Sequence, residues 1–235
     1  MLTRLGLAAG AVWLAYAWVP HLAVPFCVPR ARRDAGRRIA LTFDDGPDPV
    51  WTPRVLDALA ERHVRGTFFL VGERAQRAAA AVRAIVGGGH EIASHGWSHR
   101  SLWLCGPRRT AEEIDRAQTA LRALSGTAPR YFRPPWGMVN AAMFPLLRAR
   151  RLQPVLWSIQ PEGLWPVPAH TQAAYVIARA HDGAIVDLHD AEGTAGAPAR
   201  LVAALPALIE GLRDAGYELV TVGDLLSWKT AGPGA

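Results

Sequence analysis

Two adjacent aspartates, Asp44 and Asp45, stand immediately before Gly46-Pro47, and two histidines, His95 and His99, stand four residues apart. Imidazoles at that spacing share one face of a helical turn. With a carboxylate nearby they make three protein ligands and leave a catalytic metal an open position for water. A third imidazole, His189, precedes Asp190, and Arg133 opens the run Arg133-Pro134-Pro135-Trp136-Gly137. His90-Glu91 followed by His95 misses the H-E-x-x-H spacing by one residue, so the zincin arrangement is excluded. Each feature alone has an ordinary explanation: a single aspartate is enough for an Asx turn before Gly-Pro, and H-x-x-x-H arises by chance.

The elements that must position these residues supply the stronger argument. Apolar runs over 38–43, 66–71, 91–95, 131–133, 155–159, 183–188 and 218–222 read as strands. Helical patterns occupy 52–63, 74–86, 141–150, 171–181 and 199–215, and a further helix opens at Thr110 with the capping-box spacing Thr110-x-x-Glu113 and runs to about Leu124. Gly87-Gly88-Gly89 is not followed by the Lys-Ser/Thr of a phosphate loop and reads as a helix terminator. Repeated β-α units imply an α/β fold with a mainly parallel sheet of about seven strands. A distorted or incomplete (β/α) barrel competes with an open doubly wound sheet. In either, sites form at the C-terminal strand ends. Asp44, Asp45, His95, Arg133, His189 and Asp190 all fall there, so four separate segments point to one place.

The ordered motifs Thr42-Phe43-Asp44-Asp45-Gly46-Pro47, His95-x-x-x-His99, Arg133-Pro134-Pro135-Trp136-Gly137 and Leu188-His189-Asp190 resemble those of the NodB-like polysaccharide deacetylases of carbohydrate esterase family four. The resemblance spans roughly Arg37 to Trp228 and implies a distorted (β/α) barrel and one divalent metal ion, commonly zinc. By position it implies Asp45, His95 and His99 as metal ligands, Asp44 as general base and His189 as the acid that protonates the departing amine. Arg133 would pair with Asp44, the Trp136 backbone N–H would receive the oxyanion, and Trp157 and Leu188 would wall the acetyl pocket. The implied partner is an N-acetylated carbohydrate.

One family feature is missing. The segment Trp157-Ser158-Ile159-Gln160-Pro161-Glu162-Gly163-Leu164-Trp165 holds no aspartate where relatives carry the one that orients the acid histidine. Two substitutes offer themselves: Glu162 in the altered loop, and Asp187, which by strand alternation faces the same side as His189. An aspartate in the apolar Ala184-Ile185-Val186 run needs a partner if buried, which favours Asp187. Trp97, Trp103, Trp136, Trp157 and Trp165 lie in or near the site loops, where packing outweighs sugar stacking for tryptophans as a group.

The 235 residues suffice for one such domain, and half of them are hydrophobic, which excludes a disordered chain. The net charge of +6 is almost entirely arginine, Lys229 being the only lysine, and no nucleic-acid motif accompanies it. Residues 1–28 read as a membrane anchor or signal segment, 29–37 as a basic linker, 38–228 as the deacetylase-like domain and 229–235 as a flexible tail. Arg4, the apolar stretch and Ala15-Tyr16-Ala17 fit a signal peptide, but apolar character continuing to Val28 favours an anchor. Arg30, Arg32, Arg33, Arg37 and Arg38 follow it, and the positive-inside rule would hold the domain in the cytoplasm. Resemblance to wall enzymes favours the extracytoplasmic side. Cys27 and Cys105 read as free thiols, and no protein partner is evident. Besides a peptidoglycan-like or chitin-like polymer deacetylase, two readings stay open: a deacylase of a lipid-linked amino sugar, and a non-catalytic sugar-binding protein that keeps the metal.

Overall fold

The computed structural model of the chain describes residues 10–191 and 193–227. Strands β1 (Arg38–Asp44), β2 (Thr67–Leu70), β3 (Glu91–Ser94), β4 (Tyr131–Phe132), β5 (Gln153–Pro154), β6 (Ile185–His189) and β7 (Glu218–Val220) form one sheet. Its order is β5-β4-β3-β2-β1-β6, with β7 also on β1, and every pairing is parallel. Parallel neighbours require crossovers, here supplied by α2 (Trp51–Ala60), α3 (Gly72–Arg77), α4 (Ala79–Gly87), α5 (Pro107–Ser125), α6 (Met143–Ala149), α7 (Ala169–Arg179) and α8 (Ala197–Asp214), with α9 (Val222–Ser227) last.

The sheet curls into a barrel whose seam is only lightly stitched. The Ser158 N–H donates to the Ile185 carbonyl and the Asp187 N–H to the Ile159 carbonyl, and Ile159 bridges Val186. The strand expected over 155–159 shrinks to that bridge, because its polar groups are spent elsewhere. The Leu156 N–H donates to Pro29, and the carbonyls of Val155 and Leu156 accept from the Arg133 guanidinium.

Alternation along the strands separates two layers. Ile39, Leu41 and Phe43 of β1 and Val186 and Leu188 of β6 face outward, into a core shared with Val55 and Leu59 of α2 and Leu205 and Leu208 of α8. Ala40, Phe69, Ala93, Tyr131, Val155 and Ile185 cluster on the opposite face, the barrel interior. Thr42 and Asp44, His95, Arg133, and Asp187 and His189 continue those interior rows towards the C-terminal ends by the same two-residue period.

Two helix expectations change. The helix read over 74–86 is broken at Ala78 (φ −121°, ψ 48°), giving α3 and α4. The helix read from Thr110 begins at Pro107, with Gly106 as its N-cap, since proline is tolerated in a first turn where no N–H is needed. The Thr110 hydroxyl donates back to the Gly106 carbonyl and caps nothing.

At the N-terminus residues 10–13 are helical, Leu14–Trp18 form a π-helical turn, and α1 (Val19–Cys27) follows. Val24 and Val28 pack with Leu102, Phe132 and Met143, the Tyr16 hydroxyl donates to the Cys105 carbonyl, and the Ala141 N–H donates to the Tyr16 carbonyl. Among the described residues no helix is long and apolar enough to cross a membrane. Residues 1–9 of the expected anchor or signal segment, and the expected tail at 229–235, lie outside the described residues. The basic segment lies against the domain: Ala31 bridges Ala184, and Ala35 is buried. Cys27, exposed, and Cys105, buried, are both free thiols.

Candidate active site

Asp45, His95 and His99 meet at the top of β1 and β3, one ligand atom from each lying within 4.8 Å of the others. His99 Nε2 is 2.7 Å and His95 Nε2 3.5 Å from Asp45 Oδ1. The His95 ring is fixed by its other nitrogen, Nδ1, which donates to the Arg133 carbonyl at 2.8 Å and leaves the Nε2 lone pair facing the carboxylates. Burial works to raise the Asp45 carboxyl, but the His95 and His99 imidazoles outweigh it and hold the group below the usual carboxylate range. Two imidazoles and one ionised carboxylate on a shared point fit a divalent cation of the zinc type. The backbone is strained where it delivers these groups: Asp45 (φ 73°), His99 (φ 56°) and Trp136 (φ 62°) are non-glycine residues in the left-handed region, and such strain concentrates at functional sites.

Beneath the three ligands the Arg133 guanidinium is fully buried. Its Nη1 donates to Asp44 Oδ1 at 2.6 Å, Thr42 Oγ1 at 2.8 Å and Asp187 Oδ1 at 3.2 Å, and the group lies 4.0 Å over the Phe69 ring. A single cation therefore serves two buried carboxylates. Burial pushes Asp44 up to about 6 against the pull of Arg133, and the Asp187 charge adds to the rise; burial likewise takes Asp187 to about 6. Asp44 Oδ2 is 3.8 Å from His95 Nε2, so this carboxylate flanks the ligand cluster without belonging to it.

His189 ends β6 on the same interior row, its Nε2 4.0 Å from Asp187 Oδ2. Of the two carboxylates expected as substitutes for the family's aspartate, Asp187 is thus brought to His189. Glu162 is not: its Oε1 accepts from Arg200 Nε and Nη2 at 2.8 and 2.6 Å and from the Val167 N–H at 2.9 Å, pinning the altered loop to α8. Leu188, expected as a wall of the acetyl pocket, points the other way. It is buried in the core between sheet and helices, because neighbours on a strand face opposite sides. Trp157 is half-buried, 5.4 Å from the Arg133 guanidinium and against Gly137, with its Nε1–H donating to Gln160. Trp136 is 56% exposed, its ring 5.1 Å from that of His99.

One supporting carboxylate escapes the sequence, and another is placed by it at the strand ends without a role. Glu113 of α5 is buried and accepts from the Trp97 and Ser98 N–H groups and the Ser98 hydroxyl, with Arg109 beside it at 2.9 Å. It therefore holds the loop that carries His99. The Thr110-x-x-Glu113 spacing was the available signal, but it marks a residue reaching across to a loop and not a capping box. Asp190 is also buried, accepts from the Thr52 hydroxyl on Oδ2, and among the described residues leaves Oδ1 without a hydrogen-bond partner. A Cβ on Gly46 would lie 2.4 Å from Asp190 Oδ1, so only glycine lets the chain pass between the metal-site aspartate and this carboxyl.

The polysaccharide deacetylase family model matches residues 31–155, which carry Asp44, Asp45, His95, His99 and Arg133. A peptidoglycan-N-acetylglucosamine deacetylase of Bacillus cereus is 35% identical over 193 residues, covering 81% of this chain and 89% of that protein. A chitooligosaccharide deacetylase of Sinorhizobium fredii is 36% identical over 199 residues, covering 81% of this chain and 92% of that protein. The crystal structure of the Bc1960 peptidoglycan N-acetylglucosamine deacetylase in complex with 4-naphthalen-1-yl-N-oxidanyl-benzamide superposes with a TM-score of 0.82 at 30% identity, covering 88% of this chain and 97% of that one. With the parallel barrel, the strand-end cluster and these relatives in agreement, the chain belongs to the polysaccharide deacetylase family.

Proposed function

We propose that the chain hydrolyses the N-acetyl group of an amino sugar within a peptidoglycan-like or chitin-like polymer, releasing acetate and a free amine. The observation that carries this reading is the grouping, on one barrel end, of a three-ligand cluster, a buried carboxylate beside it and a separate imidazole. The relatives named as deacetylases of peptidoglycan and chitooligosaccharides support the substrate class.

Asp45, His95 and His99 would hold the metal, with zinc the best match to their donor atoms. When bound, a divalent cation there supplies Lewis acidity, polarising an amide carbonyl and acidifying water. Asp44 takes the proton from the attacking water, and Arg133 keeps that carboxylate aimed and favours its ionised form. The strained Trp136 turn presents its N–H to the oxyanion, and Trp157 lines the acetyl side. His189 delivers a proton to the sugar nitrogen as the C–N bond breaks, since an amide anion is too basic to leave without one. Asp187 takes the place of the family's missing aspartate, orienting the His189 ring and stabilising it when charged. Action on assembled wall polymer places the domain outside the cytoplasm, which protease accessibility on intact cells measures.

The test is acetate release from a panel of N-acetylated oligosaccharides and peptidoglycan fragments, with Asp44→Asn as control. Turnover by the native chain and at least about a 100-fold loss in Asp44→Asn are expected. Binding of zinc and sugar without release of any acyl group would point instead to a non-catalytic sugar-binding protein.

A further inference from the structure

The N-terminal helix turns an apolar stripe outward. Leu14, Trp18, Leu22 and Phe26 recur every four residues and are 51%, 50%, 63% and 89% exposed. Ala17, Val24 and Val28 on the opposite side are buried, so the helix uses one apolar face to dock on the domain and leaves a second uncovered by any described residue. The wider π turn at Leu14–Trp18 offsets the drift that four-residue spacing has in a regular α-helix and keeps the stripe in line. Contiguous exposed apolar surface of this kind marks an interaction site.

What lies beside the stripe identifies the occupant. Past Phe26 the helix end opens into a groove of about 810 Å³ whose lining includes Pro25, Phe26, Arg30, Arg32, Arg33 and His181. Arg30 and Arg33 are exposed. Aliphatic and tryptophan side chains along a helix, ending in arginines at a polar groove, match a layer with acyl chains below anionic headgroups. A second copy of the chain matches less well: it carries the same +6, and Asp34, the one acidic residue of residues 10–34, is already paired with Arg32.

We infer that the chain docks on the surface of an anionic phospholipid bilayer, lying in the interface through the Leu14–Phe26 stripe with headgroup phosphates in the arginine groove. This mode needs no spanning helix. It stands apart from the chemistry at the metal site, so either reading can fail without the other.

Co-sedimentation of the full chain with vesicles of phosphatidylcholine, alone or mixed with phosphatidylglycerol, tests it. The chain is expected to pellet with the mixed vesicles at least about tenfold more strongly than with the neutral ones. The triple variant Trp18→Ser, Leu22→Ser, Phe26→Ser is expected to lose at least about tenfold in binding to the mixed vesicles. Its acetate release from a soluble chitooligosaccharide should be unchanged, which also shows that it is folded. Arg33→Gln should weaken binding and flatten its salt dependence. The inference is overturned if the native chain stays in the supernatant with both vesicle types, or if the triple variant pellets as the native chain does. A dimer that light scattering detects in the native chain and not in the triple variant would overturn it too, because a second copy would then cover the stripe.

Discussion

The Asp187 carboxylate stands 4.0 Å from the His189 imidazole, held in place from its other oxygen by Arg133 at 3.2 Å. It occupies β6 itself, two residues before the histidine and on the same face of the strand. Asp187→Asn removes the negative charge and keeps the shape, so kcat should fall by about 100-fold with little change in KM. A second effect distinguishes this from simple damage. Asp187 helps to raise the Asp44 carboxyl, so its neutralisation lowers the Asp44 pKa, and the acid limb of the rate profile moves to lower pH from about 6. Glu162→Gln should leave kcat within about twofold and lower the melting temperature by loosening Arg200. Equal kcat losses in the two variants, or an unmoved acid limb in Asp187→Asn, would refute the assignment.

Chelation tests the ligand cluster. Metal analysis of the native chain is expected to find one divalent cation per chain, and its removal to abolish acetate release until metal is restored. His99→Ala should weaken the affinity by more than about 100-fold, as removal of a ligand costs more than removal of a supporting hydrogen bond. The readout is competition against a chromogenic chelator. Retention of the native stoichiometry and affinity in His99→Ala would show that the cation lies elsewhere.

Glu113 makes a subtler prediction. It contacts no ligand atom, yet its two oxygens gather the N–H groups and the hydroxyl that shape residues 96–99. Glu113→Gln substitutes a weaker acceptor and loses the Arg109 pair, so metal affinity should fall by about 10- to 100-fold while the secondary structure persists. Asp115→Asn, two residues along the same helix on an exposed pair with Arg150, should leave metal affinity unchanged. The contrast fails if both substitutions act alike.

These cases show what the chain discloses before it folds. The positions of Asp44, His95, Arg133 and His189 were legible because each ends an apolar run, and parallel α/β folds bring such ends together. Asp187 was legible for a related reason: a charge in a buried strand needs a partner. Glu113 was hidden because its partners lie on another segment, and a local capping rule competed for the same spacing. Leu188 is expected at the pocket on family resemblance alone, and the pleat turns it instead into the core between sheet and helices. The run 155–159 has strand composition, but its carbonyls are claimed by a guanidinium that no local pattern reveals. The outward stripe of the N-terminal helix was visible as apolar sequence; which face the domain would cover was not.

Asp190 gives the last prediction, in stability. Burial takes its carboxyl from the ordinary 3.8 to about 7 against the hydrogen bond from Thr52, and among the described residues Oδ1 has no hydrogen-bond partner. A carboxyl raised on folding binds its proton more tightly in the native state than in the unfolded chain. Its contribution to stability is therefore complete below pH 3.8 and is lost as pH rises through about 7. Asp190→Asn is permanently neutral, still accepts from Thr52, and keeps the shape beside Gly46. The stability of the native chain relative to this variant should fall by up to about 1.4 kcal/mol per pH unit between those limits and level off above them. Urea unfolding of both chains across this range, with a chelator present throughout so that metal binding does not contribute, measures the difference directly. Parallel curves would mean that Asp190 is ionised in the native state and that a donor reaches Oδ1.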